Sequence, residues 1–306
     1  MKPPASALIV ALLFGAGATA ARPQDAPTFR SESNVVVLHV NVRDGRSDAV
    51  PNLPESAFQV VEDGRTQEIT FFNNADLPVT VGLLVDNSGS MIARGAMVVA
   101  GTSAFAESSH PEDEVFTIVF NENVEFGLPP TVKFSTNPIL VRSTLTRFPV
   151  GGRTALHDAV VAGLEHLEEA SHQKRVLIVL SDGKDNASRL SEEDMLQRAA
   201  RSDAIIYTVS TERLGSVASN PRLLRKLADA SGGAALFPRT ERGVVEAFTE
   251  IAGNIRRGYS IGYVPSNTAH DGTSRRVRVM VRMPGLHNLT VNARDGYLAP
   301  RHADAR

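Results

Sequence analysis

The chain has 306 residues, a length that suggests about two domains. It is 42% hydrophobic and 22% charged, values of a soluble globular protein able to bury a core, and 32 basic against 34 acidic residues leave a net charge of −2. That balance leaves no electrostatic footprint for nucleic acid and no acidic tail. Cysteine is absent, which excludes disulfides, cysteine zinc centres, thiol catalysis and a lipid on an N-terminal Cys.

Residues 1–20 read as an export leader. Lys2 supplies a positive start, residues 5–16 form a small and apolar run, and Ala18-Thr19-Ala20 offers the small residues of a cleavage site before Ala21. The apolar run is short for a spanning helix, which needs about 20 apolar residues. The expectation is an exported chain, periplasmic or secreted, with no membrane span after processing.

From Val36, apolar Val36, Leu38, Val40 and Val42 alternate with Val37, His39, Asn41 and Arg43, the period of a half-buried strand. Phe58 and Val60 continue the alternation up to Asp63-Gly64, a hairpin signal, and Gln67, Ile69 and Phe71 follow it. The C-terminal stretch behaves likewise at Val277, Val279 and Val281 and again at Leu289, Val291 and Ala293. Neither flank has enough strands for a core of its own. Within an N-terminal β region at 21–77, residues 34–77 are therefore expected to pack with a C-terminal β region at 257–306 as a small antiparallel, sandwich-like β domain around an inserted middle. Arg276, Arg278 and Arg282 read as a solvated strand face that discourages edge pairing.

The middle, residues 78–256, has another rhythm. Val79–Val85, Val115–Phe120, Val176–Leu180 and Ala204–Val209 are nearly continuous apolar runs, as in strands buried on both faces. Helical spacing links Leu156, Val160, Leu164 and Leu167, then Leu223, Leu224 and Leu227, then Val244, Phe248 and Ile251. The pattern predicts an α/β fold, an open and mostly parallel sheet with helices on both faces, whose ligands sit beyond the carboxyl ends of the strands.

Three loops carry short oxygen side chains at a strand end or a helix start: Asp86-Asn87-Ser88-Gly89-Ser90, Gly151-Gly152-Arg153-Thr154, and Ser181-Asp182-Gly183-Lys184. Taken singly, each has a plainer role: Ser90 or Thr154 as a helix cap, Asp182-Gly183 as a turn. Together, Asp86, Ser88, Ser90, Thr154 and Asp182 make a donor set of hard oxygens only, suited to Mg²⁺ or Mn²⁺ rather than zinc or copper. Two carboxylates just neutralise a divalent ion, and Mg²⁺ takes about six oxygens. A position remains for the Asp or Glu of a protein partner.

The three loops resemble the metal-ion-dependent adhesion site of von Willebrand factor type A domains. Asp86, Ser88 and Ser90 match its D-x-S-x-S element, Thr154 its lone Thr, and Asp182 the Asp after the fourth strand in family order. The resemblance covers roughly residues 78–256. The flanks, from Val40 through Glu62-Asp63-Gly64 to Phe71-Phe72 and again at Tyr259-Ser260-Ile261-Gly262-Tyr263 and Arg294-Asp295-Gly296-Tyr297, are similar to those of exported bacterial proteins with this domain. The resemblance implies binding, not catalysis, with the Ser and Thr hydroxyls coordinating directly and the Asp groups directly or through water. The acidic positions that some integrin-type domains place after the serines are replaced by Ile92, Ala93 and Arg94, so a neighbouring calcium site is not implied. Asn87, Arg153 and Lys184 are expected at the rim, where positive charge would steer an acidic partner or simply be solvated.

Two rival functions follow other features. A hydrolase would use Ser88, His157 and Asp182, but the G-x-S-x-G elbow is missing, as are the phosphate-binding loop G-x-x-x-x-G-K-[ST] and H-E-x-x-H. A metal-independent scaffold would keep the fold and use flat interfaces.

Overall fold

The computed structural model describes residues 35–45, 49–145, 147–210 and 219–301. The export leader expected at 1–20 lies outside the described residues. Among the described residues no helix is long and apolar enough to cross a membrane.

The chain enters through β1 (Val36–Arg43), β2 (Phe58–Glu62), β3 (Arg65–Gln67) and β4 (Ile69–Asn73). Asp63 and Gly64, at φ +47° and +83°, join β2 to β3 in a tight hairpin whose two central residues are both left-handed. The run through Gln67, Ile69 and Phe71 after this turn is divided between two strands: β3 pairs with β2, whereas β4 crosses to another sheet beside a strand near the C-terminus. A single residue, Glu68, separates the two strands, so the switch of sheet falls on it.

The middle follows as β5 (Thr80–Asp86), α1 (Gly95–Glu107), β6 (Glu114–Phe120), β7 (Val124–Phe126), α2 (Pro138–Leu145), α3 (Leu156–Leu167), β8 (Arg175–Leu180), α4 (Glu192–Arg201), β9 (Ile205–Val209), α5 (Pro221–Asp229), β10 (Ala235–Leu236) and α6 (Glu241–Arg257). Its strands form one sheet in the order β10-β9-β8-β5-β6-β7, parallel except for β7 at the edge. Every residue of β5 is buried, because helices cover both faces. Val81, Leu83 and Val85 pack with Val98 and Phe105 of α1 and Phe248 and Ile251 of α6. Leu84, Leu177 and Val179 point the other way, onto Leu156, Val160 and Leu164 of α3. A strand buried on both sides needs no polar alternation, and that accounts for the continuous apolar runs.

The chain leaves through β11 (Tyr259–Tyr263), β12 (Ser274–Val281), β13 (Thr290–Asn292) and β14 (Gly296–Leu298). Two four-stranded antiparallel sheets result, β13-β1-β11-β4 and β14-β12-β2-β3. Each mixes strands from both ends of the chain. β1 and β11 pair from Val36↔Tyr263 to Val40↔Tyr259, and β2 and β12 pair from Phe58↔Val281 to Glu62↔Val277. Leu38, Val40, Val60, Ile261 and Val277 fill the core between them. Arg276 and Arg278 alternate outward from buried Val277 and Val279, the solvated face expected of them. The fold is thus the predicted α/β class with an antiparallel sandwich built from both flanks.

Candidate metal centre

In the parallel sheet the chain runs from β5 to β6 on one side and later returns to β8 on the other. The order of strands therefore reverses at β5, and the crevice beyond the carboxyl ends of β5 and β8 is the place where open sheets of this kind bind ligands. All three oxygen-rich loops meet there.

The first loop is held by its own side chains. Asp86 ends β5 fully buried, and its Oδ1 accepts the Ser88 amide at 3.0 Å. That short turn points the chain back on itself before a 3-10 turn spans Gly89–Arg94. The Ser88 and Ser90 hydroxyls lie 3.2 Å apart. Ser88 is buried and Ser90 exposed, so the pair runs from the crevice to the solvent. Asn87, expected on the rim, is not there. It is buried, and its side-chain amide donates to the carbonyls of Phe148 and Pro149 at 3.1 and 2.8 Å, tying the first loop to the second.

Further backbone bonds join the same two loops: Gly151 donates to the Asn87 carbonyl and Gly89 to the Gly152 carbonyl. Thr154 is buried beside them, and its backbone is engaged by the third loop. Its amide donates to Asn186 Oδ1 at 2.8 Å, and its carbonyl accepts from the Asn186 and Ala187 amides. Thr154 does not cap the following helix: the N-cap of α3 is Ala155, and no side chain caps it. The plainer role for its hydroxyl is thereby removed. Arg153 is exposed next to it, with its amide donating to Glu122.

The third loop begins with Ser181, a residue that sequence reasoning passed over. Its hydroxyl donates to Asp86 Oδ2 at 2.7 Å and accepts the Gly183 amide at 3.1 Å. Asp182 follows, buried, with Oδ1 accepting the Lys184 amide at 2.9 Å. Gly183 sits at φ +81°, where a Cβ would fall 2.5 Å from the Asn220 carbonyl oxygen, so the turn that aims Asp182 admits only glycine without displacement. Lys184 is exposed on the rim.

One atom in this arrangement lacks a partner. Asp182 Oδ2 is buried and accepts no hydrogen bond. Buried carboxylate oxygens are nearly always satisfied, and leaving one bare costs about 1–3 kcal/mol or more. Asp86 carries a related strain: burial pushes its carboxyl up, the hydrogen bonds from Ser88 and Ser181 oppose the rise, and the nearby Asp182 adds to it. Two buried acids are thus close enough to influence one another, with the Ser88–Ser90 hydroxyl pair on the first of their loops. Among the described residues no cluster of three or more His, Cys, Asp or Glu side chains forms, so a donor set here depends on the hydroxyls. The hydrolytic arrangement is not assembled. His157 Nδ1 meets the Leu190 carbonyl at 3.1 Å and lies 3.8 Å from Asp185, away from any bond to Ser88 or Asp182.

Comparison with known proteins agrees with this architecture. Residues 81–184, from β5 through the third loop, match the family model of the von Willebrand factor type A domain. A von Willebrand factor type A protein from Catenulispora acidiphila superposes with a TM-score of 0.51 at 16% identity, over 90% of this chain and 76% of that one, a likeness of fold. The von Willebrand domain of the type V pili tip protein Mfa5 from Porphyromonas gingivalis aligns at 11% identity over 59% of this chain and 96% of that one, with a TM-score of 0.49. An aerotolerance-related membrane protein from Bacteroides fragilis aligns at 16% identity over 57% and 98%, with a TM-score of 0.47. No curated protein sequence matches the chain. The matched segment contains all five oxygen-bearing positions, and over it the chain is similar to the von Willebrand factor type A domain.

Proposed function

We propose that the chain is an exported binding module that grips a protein partner through a Mg²⁺-dependent site, with Mn²⁺ as a substitute. Asp86, Ser88, Ser90, Thr154 and Asp182 would hold the ion. The observation that carries this reading is the bare, buried Oδ2 of Asp182. A cation is the natural partner for it, since all the neighbouring donors are hard oxygens and a second buried carboxylate stands close by. A bound Mg²⁺ would supply the charge that balances the two acids and a position open to an outside carboxylate oxygen. The exposed Ser90 edge gives a partner Asp or Glu its approach. Exposed Arg153 and Lys184 on the rim would steer that acid, a rate effect sensitive to salt. The role is binding rather than catalysis, and the segment at 1–20 supports export to the periplasm or beyond.

Calorimetric titration of Mg²⁺ or Mn²⁺ into the parent chain and Asp86→Ala tests the reading. One saturable site in the parent, lost in the variant, is the expected result. Retrieval of a partner in metal but not in chelator is the expected second result. A metal-independent scaffold is the other reading, favoured by the hydrogen bonds that already knit the three loops together. Partner capture unaffected by chelator and by Asp86→Ala would establish that scaffold and sink the metal site.

A further inference from the structure

At the opposite end of the parallel sheet, where β5 and β8 begin, a cavity of about 660 Å³ lies against the sandwich sheet of β1, β4 and β11. That is the size range of small-molecule sites, about 300–1,000 Å³. Its walls have two characters. One is apolar: Val35, Phe71 and Leu77 are 41%, 39% and 49% exposed, and together with Val37 they line the cavity. Large apolar side chains left open beside a concave surface are what an apolar ligand covers.

The other wall is cationic. Arg175 is half-buried, and its guanidinium makes no hydrogen bond or ion pair with any described residue; its Nε is fully buried. Lys174 stands next to it, its ammonium donating to the Ile255 carbonyl. Burial and then the charge of Arg256 pull that ammonium down to about 8, against the opposing pull of Asp76 and Asp113. His39, 7% exposed, bonds Ser260 through Nδ1 at 3.2 Å and lies near the Asp203 carbonyl. The acid on this rim, Asp203, faces Arg294 at 3.9 Å and has a side chain 58% exposed, so it does not neutralise Arg175. The planar fork of the half-buried Arg175 guanidinium matches a carboxylate in two hydrogen bonds.

We propose that this cavity binds a small amphipathic carboxylate, an aliphatic acid of medium chain length, with the head group on Arg175 and Lys174 and the tail along Val35, Phe71 and Leu77. The site is remote from the metal loops, which lie at the carboxyl ends of the same strands, and it needs no metal.

The test is calorimetric titration of octanoate into the full chain in the presence of chelator, with 1-octanol as the uncharged analogue. The expected result is one site with Kd about 0.1–1 mM for octanoate and binding at least about tenfold weaker for the alcohol. Arg175→Gln should weaken octanoate at least about tenfold while the melting temperature stays that of the parent. Leu77→Ser, on an exposed side chain, should weaken both probes together. Should Arg175→Gln fail to fold, the acid-to-alcohol ratio and Leu77→Ser still decide. No saturable octanoate binding up to about ten times the expected Kd, or equal affinity for acid and alcohol, would overturn the proposal.

Discussion

Ser181 donates its hydroxyl to Asp86 at 2.7 Å and so fastens the end of β8 to the end of β5. Both residues are fully buried, and they lie at the point where the strand order reverses. The bond fixes the Asp86 carboxylate from the side opposite the Ser88 amide. Ser181 therefore acts as a positioning residue for the proposed metal site. Ser181→Ala should destabilise the fold by ~1–3 kcal/mol, the cost of a buried carboxylate oxygen losing its donor. It should also weaken Mn²⁺ about tenfold, as loss of an outer partner of a metal ligand does. Chemical denaturation and calorimetry read the two effects, and unchanged affinity would reduce Ser181 to a purely structural bond.

The two buried acids set up an opposed pair of effects at Asp182. Asp182→Asn removes one negative charge next to Asp86, whose carboxyl burial and that charge both push up. In chelator the variant should melt no lower than the parent, because a repulsion is gone. In excess metal the parent should gain about 2.7 kcal/mol at a hundred times Kd, seen as a melting shift of several degrees, and the variant should gain nothing. A variant that melts far below the parent in chelator would mean that Asp182 stabilises the loop without any cation.

Rim charge makes a kinetic prediction. Arg153 is exposed, and among the described residues its guanidinium makes only a long 3.4 Å bond to the Asn186 carbonyl. Arg153→Glu should leave stability within ~0.5 kcal/mol, slow association with an acidic partner and flatten its salt dependence. Association rates at two ionic strengths check this, and identical slopes in parent and variant would end the steering idea.

His39 makes stability depend on pH. Burial first, then the positive charges of Lys174 and Arg294, lower its imidazole to about 3, against the smaller opposing pull of the Asp203 carbonyl. An unfolded histidine titrates near 6.5. Below that pH the unfolded chain binds a proton that the folded chain refuses, so His39 subtracts stability as pH falls from about 6.5 toward 3 and contributes no slope above. The slope reaches ~1.4 kcal/mol per pH unit. His39→Gln removes it. Urea denaturation at pH 7 and pH 4.5 should show the parent losing more stability than the variant, and equal losses would contradict the burial of a neutral ring.

The sequence displays the parallel sheet plainly because β5, β6, β8 and β9 are buried on both faces and so read as unbroken apolar runs. Of the oxygen-bearing positions, Asp86, Ser88, Ser90 and Asp182 are equally legible because they follow on β5 and β8, whereas Thr154 stands before α3. Other features leave fainter marks. The departure of β4 from β3 turns on Glu68 alone, and no periodicity reports which sheet a strand joins. α4 went unread because its apolar face is thin, with only Met195 and Ala199 buried, although the Ser191–Asp194 capping box announces its start. Ser181 and Asn87 are ambiguous in the sequence for one reason: a polar residue next to a ligand position looks alike whether it faces the ligand or braces the loop. Only the third dimension shows Asn87 turned toward the Phe148 and Pro149 carbonyls and Ser181 toward Asp86.

The sandwich has its own polar anchor. Glu62, buried at the end of β2, accepts hydrogen bonds at one oxygen from Tyr263 at 2.7 Å and from Tyr297 at 2.9 Å. Tyr263 belongs to the facing sheet and Tyr297 to the same sheet, so one carboxylate joins three strands drawn from both flanks of the chain. Burial, followed by the bond to Glu62, pushes both phenols well above their usual range, which keeps them donors throughout the pH range of the folded protein. Each tyrosine partly covers for the other, because either leaves the carboxylate with one phenol. Tyr263→Phe and Tyr297→Phe should each cost ~1–2 kcal/mol, and the double variant should cost more than their sum by ~0.5 kcal/mol or more, since the second change strips the last phenol from a buried carboxylate. Urea denaturation of the four chains measures the coupling. Strict additivity would mean that Glu62 is satisfied without them, and the joining of N- and C-terminal strands would then rest on the apolar core of Leu38, Val60, Ile261 and Val277 alone.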